Sequence, residues 1–231
     1  MERRCFPDYD FTFNLAFLVI KHFNLCSFPI PLEQVVSNLP QIRLCPYSTF
    51  CKNRGLTSRE AINYLGSNFG AIVRPPMCNQ YILYYNDDYT PGTVRYTIAH
   101  ELGHYFLGHM RHLHNKNRGH INHKNPYLDR EADNFAMNLL APAALIDLMG
   151  LENAIDINVM FVLGRQAFSR ANSMVFDKQK ITQAQRSYFF NTFETQILFP
   201  DIYPLLYSEK IDKGAIGHFW ANRNIKRDRV V

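Results

Sequence analysis

Paired cysteines, long apolar runs and repeated or biased segments are all missing from this chain. Its five cysteines (Cys5, Cys26, Cys45, Cys51, Cys78) form no C-x-x-C pair, and an odd number leaves at least one unpaired in any intramolecular set. A disulfide scaffold is therefore disfavoured, and reduced thiols are expected. A structural zinc built from Cys45, Cys51 and others is the weaker alternative. The apolar stretch from Phe13 to Ile20 ends at Lys21, far short of a bilayer span. Arg3-Arg4 ahead of it imitates a signal peptide only superficially, because Asp8 and Asp10 intervene and no small-residue cleavage site follows. A cytoplasmic location and no membrane partner are expected. The absence of internal repeats and low-complexity linkers leaves one domain, or one and a half, in 231 residues, and an apolar fraction of 47% is ample for a core.

What is present centres on Thr97-Ile-Ala-His-Glu-Leu-Gly-His-Tyr-Phe-Leu-Gly-His109. Residues four apart on a helix project from one face. His100 and His104 can therefore offer one ring nitrogen each to a single ion. Glu101, beside them, can act as general base on a water held at that ion without ligating it. Val94, Ile98, Leu102 and Tyr105 trace the apolar stripe of a helix expected over about 93–109. Two histidines and a carboxylate on a half-buried face are costly to desolvate unless a metal or a hydrogen-bond network satisfies them. The plain alternative is a solvated, His-rich helix.

A catalytic zinc needs three protein ligands and one open position, so the rest of the chain must supply the third. The pattern H-E-x-x-H-x-x-G-x-x-H is excluded, because Leu107 and Met110 occupy the places of its glycine and last histidine. Gly108 and His109 are each one place off, about 100° around a helix, so His109 is a poor ligand if the helix continues to it. Downstream, Asn125-Pro126 reads as a helix start and Ala141-Pro142 as its end. Glu131 lies on or beside the buried face of that second helix, expected over 126–140, where its carboxylate needs a partner. Zinc is the obvious one, and the plain alternative is a surface residue or a pair with Arg130. Asp129, Asp133, His120 and His123 compete for the same role.

The run Thr97–His104, followed by Arg130-Glu131-Ala132-Asp133-Asn134-Phe135-Ala136-Met137-Asn138-Leu139-Leu140-Ala141-Pro142, resembles the ImmA/IrrE family of zinc metallopeptidases. Asp133 stands where the family usually has Asn. The resemblance covers roughly residues 13–145. It implies Zn2+ held by His100, His104 and Glu131, with Glu101 as the catalytic base. It also implies an α+β fold: a zincin-like metallopeptidase core, mostly helical, with a small mixed sheet of about three strands packed on the motif helix. The implied role is regulatory, as a cytoplasmic protease with a narrow protein substrate such as a helix-turn-helix repressor. A zinc-containing binding protein with little peptidase activity is the alternative, and its mark would be a lost Glu101, which is present. On this reading 1–150 form the peptidase domain and 151–231 a helical extension.

In such an enzyme Glu101 would take a proton from the attacking water and return it to the leaving amine. Each ligand histidine should donate its other ring N–H to an acceptor, and Asp133 is a candidate. A Tyr or His should stabilise the oxyanion, but 13 tyrosines leave that choice open. Elsewhere, helices are expected at 11–24, 32–39, 57–67 (opened by a Thr57-x-x-Glu60 capping box), 158–174 and 182–195, with a break at Phe199–Pro204. Strands are expected at 71–74 and 81–85. In zincins the strand before the motif helix can serve as an edge on which a peptide adds. Met110–Lys124, with His112, His114, His120 and His123, reads as a loop. The formal charge of +5 owes part of its excess to Arg223, Lys226, Arg227 and Arg229, which read as a solvated terminus, so direct nucleic-acid binding is not expected.

Overall fold

A computed structural model describes residues 6–110, 126–164, 167 and 180–198. The four histidines between Arg111 and Asn125, the basic C-terminal run, the turn at 199–204 and most of the helix expected over 158–174 lie outside these residues.

The chain divides into two compact units that interleave in sequence. The first takes the residues up to Leu25, then Pro31–Thr90 and Val94–Leu139. It opens with α1 (Tyr9–His22), which starts two residues before the expected boundary because the Asp8 side chain caps it by accepting the Phe11 amide. α1 buries Thr12, Ala16, Val19 and Ile20. After α2 (Leu32–Ser37) comes β1 (Ile42–Pro46), a strand the sequence did not suggest. Ile-Arg-Leu-Cys-Pro lacks clean alternation and ends on a proline, so only its partner identifies it. α3 (Tyr47–Arg54) was also unforeseen; α4 (Ser58–Leu65) carries the expected capping box of Thr57 and Glu60.

β2 (Gly70–Val73) and β3 (Tyr81–Tyr85) complete a three-stranded mixed sheet in the order β1-β3-β2. β1 runs parallel to β3 with Ile42 opposite Tyr81, and β2 runs antiparallel to β3 with Ile72 opposite Leu83. The strand just before the motif helix is therefore central. β1 and β2 are the two edges, so that strand does not take the edge role expected of it. Because side chains alternate across a sheet, one face carries Ala71, Val73 and Tyr84, which bury against Tyr47, Phe50, Ala61 and Leu65 of α3 and α4.

Ile72 and Leu83, both fully buried, point to the opposite face. There the motif helix α5 (Pro91–Phe106) crosses the sheet: Tyr105 hydrogen-bonds Gln41 and packs edge-on against Tyr81. α6 (Pro126–Leu140) lies on the other side of α5 and keeps its expected bounds. Gly103 is what lets the two helices meet. A Cβ there would stand 3.1 Å from both the Cα and the carbonyl oxygen of Ala132, so nothing larger fits without moving backbone. Phe106 and Phe135 continue the contact with ring centroids 5.7 Å apart.

The second unit gathers Cys26–Ile30, Pro91–Thr93 and the described residues from Leu140 on. It contains α7 (Ala143–Leu148), α8 (Ala154–Phe161), α9 (Gln183–Thr192) and α10 (Glu194–Leu198). Phe28 stacks on Phe193 at 4.8 Å and meets Phe161 edge-on at 5.2 Å. Asp147 pairs with Arg186 between α7 and α9. The helix expected from residue 158 begins at Ala154, because Asn153 caps it, and stops at Phe161, because Val162 adopts a left-handed conformation. No helix among the described residues is long and apolar enough to cross a membrane.

Candidate metal centre

The spacing of His100 and His104 has the consequence its helical period requires. Their Nε2 atoms lie 3.1 Å apart, with His104 fully buried and His100 partly exposed. Two ligand atoms at about 2.05 Å from one tetrahedral ion are about 3.3 Å apart, so this separation suits a shared ion. The third group at this point is Asp129. Its Oδ1 is 3.5 Å from His104 Nε2, and one ligand atom each from His100, His104 and Asp129 fall within 4.8 Å of one another. Two imidazoles and a carboxylate are a donor set for zinc, and the 2-His-1-carboxylate set also suits other divalent ions.

Glu131 takes a different position from the one expected of it. Its Oε2 lies 3.0 Å from His109 Nε2, and its Oε1 accepts the Asp8 amide at 2.8 Å. The reason is helical period: two residues past Asp129 is about 200° around α6. Asp133, four past Asp129, returns to the face that Asp129 occupies. Asp133 Oδ1 is 2.7 Å from His100 Nδ1, the supporting place expected of it, and accepts the Tyr96 hydroxyl at 2.8 Å. A carboxylate only accepts. His100 therefore carries its proton on Nδ1 and keeps the Nε2 lone pair for the ion.

Glu101 is buried, 2% exposed, and its Oε2 accepts the amide of Ile72 at 2.9 Å. Ile72 faces Leu83 without ladder bonds, so this amide points outward from edge strand β2 toward the motif helix. The Glu101 carboxylate is thus tied to edge strand β2.

His109 reaches the site for a reason the linear motif hides. α5 ends at Phe106, three residues before the expected end, and Gly108 at φ 72° turns the chain back. His109 Nδ1 then lies 2.8 Å from His104 Nδ1. Burial, with His104 adding to it, pushes the His109 pKa down to about 4, so the ring is neutral at physiological pH. The signals for these residues were present in the sequence. Asp129-x-x-x-Asp133 repeats the four-residue spacing of His100-x-x-x-His104, and Gly108 is a helix stop. Nothing local pointed to Tyr96 or to the Asp8 amide.

Residues 61–166 match the family model of Peptidase M78, the IrrE N-terminal-like domain. Neither a curated protein nor a solved structure matches the chain.

Proposed function

The chain belongs to the ImmA/IrrE family through its IrrE N-terminal-like domain, and from that premise we propose that it is a zinc-dependent peptidase of the cytoplasm that cuts a narrow regulatory protein substrate, a helix-turn-helix repressor. The observation that carries the catalytic part is the convergence of His100, His104 and Asp129 beside a buried Glu101. The repressor as substrate rests on the family resemblance.

In this reading His100 Nε2, His104 Nε2 and an Asp129 oxygen hold the ion, and Asp129 takes the place first expected of Glu131. When bound, such an ion polarises a carbonyl and acidifies water. Asp133 and Tyr96 hold the His100 ring in register. The Ile72 amide fixes the rotation of the Glu101 carboxylate, which receives the proton of the attacking water and returns it to the departing amine.

Metal analysis by mass spectrometry on untagged protein tests the site. About one zinc per wild-type chain is expected, lost in Asp129→Ala. Zinc fully retained in that variant would remove Asp129 from the ligand set. For the substrate, Glu101→Gln serves as a trap in cells. A repressor recovered on it and cut at one bond by the wild type supports the proposal, whereas a trapped repressor left intact by the wild type refutes it.

A further inference from the structure

With both imidazoles neutral and Glu131 ionised, the contacts running from His104 through His109 to Glu131 admit one consistent placement of protons. Glu131 receives the Asp8 amide on Oε1 at 2.8 Å and faces His109 Nε2 with Oε2 at 3.0 Å. An ionised carboxylate can only accept, so His109 Nε2 carries the hydrogen between them. A neutral imidazole has a single N–H, which leaves His109 Nδ1 bare. That bare nitrogen lies 2.8 Å from His104 Nδ1, so His104 must donate there. The proton of His104 is then on Nδ1, and its Nε2 lone pair points to His100 Nε2 at 3.1 Å and to Asp129 Oδ1 at 3.5 Å.

We propose that His109 and Glu131 are positioning residues: they fix the tautomer and ring orientation of His104 and raise its basicity toward the metal. This rests on the reading of His100, His104 and Asp129 as the metal site. His104 and His109 are both buried, so water cannot readily replace either partner. The chain begins at the backbone entering α1, since the amide that anchors Glu131 belongs to the residue that caps that helix. Each ligand histidine thereby has its own acceptor, Asp133 for His100 and the His109–Glu131 pair for His104. Partners of this kind usually change metal affinity by about 10–100-fold.

The substitution Glu131→Gln keeps shape but gives one acceptor where two donors converge. If its oxygen turns to the Asp8 amide, its NH2 faces His109 and reverses every proton in the chain, placing one on His104 Nε2. His109→Phe removes the link while keeping a buried ring. Two readouts apply to these variants, their combination and Asp129→Asn: zinc affinity by competition with a chromophoric chelator, and histidine tautomers by 15N NMR of the metal-free protein. Expected are a proton on His104 Nδ1 in the wild type, its loss from that position in Glu131→Gln, and zinc binding about 10–100-fold weaker in each single variant. The double variant should be no weaker than His109→Phe alone, because Glu131 acts only through His109. Wild-type zinc affinity in Glu131→Gln overturns the proposal. So do losses that multiply in the double variant, or a loss as deep as that of Asp129→Asn with the His104 tautomer unchanged, which would make Glu131 a ligand in its own right. Failure of the underlying site looks different: Asp129→Asn binds zinc like the wild type while the tautomers still respond to Glu131→Gln.

Discussion

The Glu101 carboxylate accepts the outward-facing amide of Ile72 at 2.9 Å, so the motif helix is fastened through it to β2, an edge strand of the sheet. The motif helix and β2 are thereby placed in one frame. Glu101→Gln should retain the ion, since Glu101 is not among the converging ligand atoms, while hydrolysis falls by about 10²–10⁴-fold, the usual contribution of general-base catalysis. Metal content and peptide cleavage measured on one preparation check this. Cleavage at the wild-type rate would remove Glu101 from the mechanism.

Asp133 holds His100 Nδ1 at 2.7 Å. Asp133→Ala should weaken zinc binding about 10–100-fold by releasing that ring. Tyr96→Phe, which deletes only one of the donors to Asp133, should do so less. Chelator competition ranks the two, and the reverse order would mean that the tyrosine, rather than the carboxylate, orients the site.

Gly103→Ala tests how the two metal-site helices approach. Alanine gains up to about 1 kcal/mol of helix propensity over glycine. Against this, its Cβ meets Ala132 backbone atoms at 3.1 Å, and overpacking of that kind costs about 1–3 kcal/mol. The variant should be less stable in thermal unfolding and bind zinc more weakly, because α6 carries Asp129 and Asp133. A more stable variant with full zinc affinity would show that the helices have slack.

The metal-free protein should lose stability as pH falls. Burial first, then His104, lowers the His109 pKa to about 4, against an ordinary value of 6.5. Between these values the unfolded chain binds the proton and the folded one does not, so stability rises with pH through this window and is lost as pH drops from about 6.5 toward 4. Denaturant melts of wild type and His109→Phe across that range should show a shallower pH dependence in the variant. Parallel curves would mean that His109 titrates alike in both states.

The sequence by itself determined the motif residues and their helical frame. The four-residue spacing of His100 and His104, with Glu101 between them, requires only local helix geometry, as do the bounds of α6 and the Thr57–Glu60 capping box. Periodicity is a property of neighbours along the chain, so it survives without knowledge of the fold. The strands expected at 71–74 and 81–85 also read locally, but their arrangement did not: β1 exists because β3 is beside it, and β3 is central because β1 and β2 flank it. Nor did the third group at the metal centre. Asp129, Glu131 and Asp133 are alike in charge and lie within five residues, and only the rotation of α6 against α5, set where Gly103 meets Ala132, decides which carboxylate faces the histidines. His109 belongs with these. Spacing along a continuous helix would point it away from His104, and the turn at Gly108 brings it back.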